Sequence, residues 1–424
     1  MSSAVFHVPP SPGFRALRAV RSLALLLGVL GVSAMPARAS WKLTTRAAFD
    51  DNVFLQEIGD LANRSSTVLT AAVDWRHQSQ TAAGASWITS YTADGTAFLD
   101  ESSESFHQHR LAWTLAQPVP RGTLKMTGNG LLSEGPNDPV IWPTKDGVPA
   151  GGAPSVRDRR DAVVWRLQAT APLTFGRWVV RPNACLYQHD FQSRHLDVPG
   201  CANAVDRSDV NAGVDVGREL GRTELVFLGV RWGRQDQGQL FSYPEQYDNT
   251  YTRLLALWER SAGPLRGSLA VGPEWRHFGE RVAASFGSRQ RTNLFAEAAL
   301  QWTASPRHEW SASLKQFEQP GASGRSTCRD LAMELSWSQV VSPKVTTRMG
   351  GRAQRFDFRA PTKRDDWIYS LNASIRRVLS PQLTLTAEVQ WQRGDSRLPT
   401  PGREYDRRFF ALGLEYHGGS AGLR

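Results

Sequence analysis

The feature that most limits what this chain can become is a unit that recurs from about residue 260 onward. Each unit is an alternating apolar–polar segment, a tight Ser-Pro turn, a second alternating segment and a longer polar loop. The turns read Ser305-Pro306-Arg307-His308, Ser342-Pro343-Lys344 and Ser380-Pro381-Gln382, spaced 37 and 38 residues apart. That spacing fits two strands of roughly a dozen residues with one short and one long connection. Leu383, Leu385, Ala387, Val389 and Trp391 alternate with Gln382, Thr384, Thr386, Glu388 and Gln390. Leu331, Met333, Leu335 and Trp337 alternate in the same way with Asp330, Glu334 and Ser336. An amphipathic helix would need apolar spacings of three and four, which these segments lack.

The same template places about eighteen strands (16–18) along the chain. They fall near 41–53, 66–77, 85–98, 105–117, 122–133, 159–172, 177–189, 208–219 and 223–234. The rest fall near 248–261, 266–278, 290–303, 308–317, 327–341, 344–357, 366–379, 382–394 and 404–417. Connections alternate between short turns, such as Gly221-Arg222, and long polar loops, such as 54–65, 134–158 and 190–207. Short turns at one end and long loops at the other are the mark of an outer-membrane barrel. Trp41, Trp75, Trp87, Trp178, Trp258, Trp302, Trp310 and Trp337 fall beside the short turns, where an aromatic girdle would meet the membrane interface. The expected fold class is therefore all-β: a transmembrane antiparallel up-and-down β-barrel in the outer membrane of a Gram-negative-type bacterium.

The N-terminus agrees with export. Arg15, Arg18 and Arg21 precede the apolar run Ser22 to Val32, and Ala37-Arg38-Ala39 supplies a small-x-small cleavage pattern. Residues 1–39 are read as a cleaved secretory signal and 40–424 as the barrel. No later segment approaches the roughly 20 apolar residues of a membrane-spanning helix. The leader holds four of the 50 basic residues and none of the 40 acidic ones, which leaves the remainder at +6. Both signs are interspersed, and no Lys/Arg block argues for nucleic acid. Of the three cysteines, Cys185 and Cys201 are spaced for a loop-pinning disulfide in an oxidising compartment, and Cys328 is left over.

Two further segments carry resemblances. Phe49-Asp50-Asp51-Asn52-Val53-Phe54 resembles the opening of porin-like outer-membrane barrel families, some of which are encoded with exopolysaccharide export systems. The other reading is a polar strand end entering the first external loop. Phe410, Leu412, Leu414 and Tyr416 resemble the C-terminal assembly signal of such barrels, although eight residues follow. The Gly/Pro-rich loop 134–158 is read either as an inward-folded constriction or as a surface loop.

Charges within a barrel strand belong on the lumen side, because the lipid side costs about 2–4 kcal/mol at mid-depth. By strand parity the pore-lining candidates are Lys125, Arg166, Arg181, Glu297, Glu334, Arg348, Arg352 and Glu388, with Asp215, Glu274 and Arg276 at the same parity. Such a set implies an aqueous pore for small hydrophilic solutes. The alternative is a barrel for exopolysaccharide export or display, closed without its partners. A lipid-modifying enzyme is a third reading. It rests on His77-Gln78-Ser79, a spacing common by chance and placed at the short-turn end. His107 and His109 share one face without a third metal ligand nearby. No cofactor or metal is implied. The expected partners are outer-membrane lipid and the barrel-assembly machinery, joined under the alternative by polysaccharide-export proteins.

Overall fold

Successive side chains of a strand leave opposite faces, so the alternation in this chain becomes two-sidedness once strands pair. The computed structural model describes residues 37–135, 161–192, 206–238, 245–320, 326–361, 363–397 and 404–419. Its strands are β1 (Ala37–Asp50), β2 (Ser66–Gln80), β3 (Ser86–Phe98), β4 (Phe106–Val119), β5 (Gly122–Glu134), β6 (Ala162–Thr170), β7 (Leu173–Phe175), β8 (Trp178–Phe191), β9 (Arg207–Glu219) and β10 (Glu224–Gln237). There follow β11 (Asn249–Arg260), β12 (Leu265–Phe278), β13 (Gln290–Ser305), β14 (His308–Pro320), β15 (Thr327–Ser342), β16 (Val345–Phe358), β17 (Asp365–Val378), β18 (Leu383–Ser396) and β19 (Tyr405–Gly419). Every pairing is antiparallel, between neighbours in sequence except where β6 and β7 share one place between β5 and β8, and β19 returns to β1 from Ser40↔Gly419 to Asp50↔Phe409. The sheet is thus a closed barrel with no free edge, the only sheet form that satisfies every backbone group in lipid.

Most strand ends fall within a few residues of the sequence expectation, and two strands differ in a way that bears on the fold. The strand expected over 159–172 starts at Ala162, pauses at Ala171-Pro172 and resumes as β7 at Leu173–Phe175, where a turn was expected; β6 and β7 both lie between β5 and β8. Pro172 has no N–H to give the ladder, and its carbonyl crowds β5, where a β-carbon on Gly122 would sit 2.0 Å from it. The two pieces make one stave, so the barrel has eighteen. The first strand, expected over 41–53, runs from Ala37 to Asp50. Ala37, Arg38 and Ala39 pair with Ser79, Gln78 and His77 of β2, and the chain turns away after Asp50.

The two faces are inverted relative to a water-soluble protein. Large apolar side chains such as Leu228 (67% exposed), Leu412 (62%) and Leu371 (58%) stand on the outside, while Asp215, Gln235 and Glu274 are buried on the inside. The eight tryptophans expected at the short-turn ends all have outward parity. Trp302, Trp310 and Trp337 sit side by side on adjacent strands, and Trp87 stacks on Trp113 with centroids 5.4 Å apart. This forms an aromatic girdle around one rim. The Ser-Pro turns hold their shape by a shared device. The Ser305, Ser342 and Ser380 hydroxyls each accept from the backbone N–H two residues on, at 3.2, 3.4 and 3.3 Å.

Cys185 is buried on the inner face of β8 beside Leu131, Val164 and Tyr187, and Cys328 is buried beside Phe356 and Phe358. Cys201 lies outside the described residues, as do residues 1–36 of the leader and most of the loop 134–158.

Candidate functional site in the barrel interior

The inner wall has two tiers. Toward the long-loop end, β9 to β12 carry a belt of buried polar groups. Arg253 and Arg276 each donate through Nε to one oxygen of Glu274, both at 2.5 Å. Arg276 also reaches Gln235 (2.6 Å), Asn249 (2.8 Å) and the backbone carbonyl of Glu318 (2.7 Å). Asp209 accepts from Gln235 at 2.6 Å and from the Tyr251 hydroxyl at 2.8 Å. The Arg253 guanidinium lies 4.3 Å from the Tyr251 ring centroid and 4.5 Å from that of Phe295. Such a network is costly to build in part, because each charge removed from water needs its partners. The reach to Glu318 is open because β13–β14 pairing ends at Ala296↔Gln316, after which β14 continues only along β15.

Toward the short turns the wall opens into a recess of about 530 Å³. Arg181 donates to Asp215 at 2.8 Å and to Glu259 at 2.7 Å, and Arg231 grips the same Asp215 through two nitrogens at 2.6 and 3.0 Å. Two glycines give this pair its room. A β-carbon on Gly229 would lie 2.2 Å from the Asp215 carboxylate, and one on Gly213 would lie 2.0 Å from the Val230 carbonyl. Without side chains there, the Asp215 and Arg231 groups lie flat against the sheet. Leu255, Leu257 and Phe295 add apolar lining to the recess.

Each sequence-derived candidate has a definite place. Arg181 and Glu297 share the recess. Glu334 faces Arg352 across the β15–β16 ladder, and Arg348 donates to the Ser336 hydroxyl at 3.4 Å. Arg352 donates to Gln354. Glu388 on β18 meets Arg46 of β1 at 3.4 Å, across the intervening β19. Arg166 is buried on β6, and Lys125 is exposed on β5 opposite Thr170. The eight are therefore spread over β5, β6, β8, β13, β15, β16 and β18 rather than gathered in one cluster. Asp209, Arg231, Arg253 and Glu259 were not among the sequence candidates. Their parity was readable, but their partners sit on strands whose lateral register the sequence does not show.

The histidines make local contacts. His77 stacks on Trp75 with centroids 5.8 Å apart. His107 contacts Glu134 at 2.9 Å and His109 contacts the Tyr91 hydroxyl at 2.7 Å, on the outer face. Among the described residues no three metal-type side chains converge.

A closed eighteen-stave barrel with an apolar exterior, an aromatic girdle and a charged interior has the architecture of an outer-membrane β-barrel. No protein-family model matches the chain, and neither does any curated protein. Among solved structures, it is similar to OccK2 (OpdF) of Pseudomonas aeruginosa in complex with glucuronate, at 13% identity and TM-score 0.47 over 91% of this chain and 100% of that one. It is also similar to OccK9 (OpdG) of the same organism, at 13% identity and TM-score 0.45 over 91% and 99%. The FrpB iron transporter from Neisseria meningitidis is similar at 8% identity and TM-score 0.41, over 92% and 82%.

Proposed function

We propose that the barrel is a channel for passive or facilitated passage of small hydrophilic solutes across the outer membrane, with outer-membrane lipid and the assembly machinery as its partners. The observation that carries this reading is the recess of about 530 Å³ walled by Arg181, Asp215, Arg231, Glu259 and Glu297. A purely structural barrel of this size would fill that space with packed side chains. A pore instead presents charges to water, where they orient passing solutes. The eight lumen candidates are read as pore-lining in this sense. No observation favours the exopolysaccharide alternative.

Single-channel recording of folded protein in a planar bilayer tests the reading. Stable open steps are the expected result. Silence from protein that shows the heat-dependent gel shift of a closed barrel would count against it.

A further inference from the structure

The stretch after β1 resembled a family opening, and the wall charges give it no part in passage. We propose that residues 51–65 are the constriction loop of the channel, docked permanently inside its external mouth and clamped there by the last strand. This inference rests on the channel reading.

The first support is burial. Val53, Phe54 and Leu55 are at most 4% exposed, although they belong to an external connection. Val53 and Phe54 pack with Ala48, Val68, Phe98 and Ala411, and Leu61, Phe106 and Phe409 close around them. The wall residues of that cluster all have inward parity, since their neighbours Phe49, Leu69, Phe410 and Leu412 stand exposed on the outside. The loop's apolar foot is therefore inside the barrel, across the sector bounded by β19, β1, β2, β3 and β4.

The second support is the clamp. Asp50, fully buried, accepts from both Nε (3.0 Å) and Nη2 (2.7 Å) of Arg407. Asp51 accepts the Arg408 N–H at 2.6 Å, and its own N–H reaches the Arg408 carbonyl at 3.2 Å. The Asn52 amide donates to the carbonyls of Asp406 (2.9 Å) and Gln56 (3.1 Å), and its oxygen accepts the Gln56 N–H at 3.1 Å. The Asp-Asp-Asn run thus matches, residue against residue, the Asp406-Arg407-Arg408 run on β19. The far side is tied as well. Val53 donates to the Arg64 carbonyl at 2.8 Å, and Arg64 bridges Glu101 at 2.6 Å while covering the Phe54 ring. Leu55 holds φ at +54°, a conformation that non-glycine residues keep only where surrounding contacts impose it.

The test uses the full chain in two variants. One replaces residues 54–62 with a short Gly-Ser turn. The other carries Phe54→Ser and Leu61→Ser, which undock the foot while leaving Asp50, Asp51 and Asn52 in place. Bilayer conductance and liposome swelling in sugars of increasing size are measured against wild type. A severalfold rise in conductance with admission of larger sugars is expected for both variants. Unchanged conductance and size limit in variants that retain the heat-dependent gel shift would overturn the constriction role and leave the channel intact. Silence from all three folded proteins would instead remove the channel reading, and the constriction with it. Should the loop replacement fail to fold, the two-serine variant decides.

Discussion

At Asp215 one buried carboxylate serves two guanidiniums, and the consequence of losing it is specific. In Asp215→Asn, Arg181 keeps Glu259, whereas Arg231 loses both of its ionic contacts. Breaking a buried pair costs about 3–5 kcal/mol because the remaining charge stays desolvated. Denaturant unfolding should show a loss of that order, and the reversal potential should move toward anion preference. Gly229→Ala should damage the same spot sterically, since the new methyl would meet the Asp215 carboxylate. On β16, Arg348→Glu with Arg352→Glu should move ion preference toward cations. An unchanged reversal potential would take both arginines out of the conducting path.

For a strand, the decisive property is which face each position occupies. Leu412 and Glu388 lie one strand apart near mid-barrel, the first outward and the second inward. Leu412→Lys should cost about 2–4 kcal/mol of folding stability in bilayers, the price of a charge in mid-membrane. Glu388→Lys should leave the barrel folded and change only conduction, because its side chain ends in the lumen beside Arg46. Equal losses from the two would refute the assigned register of β18 and β19. At β1, the proposed cleavage after Ala39 would remove three rungs that pair with β2. N-terminal sequencing of membrane-extracted protein should read Ser40 first, with the remaining rungs from Ser40 to Asp50 still closing the barrel.

Over the whole molecule, the inverted distribution of exposed and buried side chains makes the bilayer part of the folding environment. The short Ser-Pro turns and the long loops must then lie on opposite sides of the membrane. In intact cells, a cysteine placed in the loop 134–158 should react with an impermeant thiol reagent while one at Ser342 stays protected. The reverse pattern would invert the topology.

Alternation alone determined the strand number, the inner and outer faces and the girdle, because side-chain parity is a local property and lipid punishes misplaced charge. That is why Arg181, Glu297 and Glu388 could be placed on the inner wall from the sequence. Proline chemistry was also local, and the expected strand stops at Pro172; the resumption of the stave at Leu173–Phe175 depends on pairing with β8, which the local sequence does not show. Partnership was not local. Which strand faces which, at what height, depends on the stagger accumulated around eighteen staves, and no stretch of sequence records it. The meeting of Asp50-Asp51-Asn52 with Asp406-Arg407-Arg408, more than 350 residues away, exists only after the barrel closes. The sharing of Asp215 between Arg181 and Arg231, and the burial of Val53 and Phe54 inside the mouth, were likewise decided by tertiary structure. Register and closure bring those groups to one height and one side of the wall.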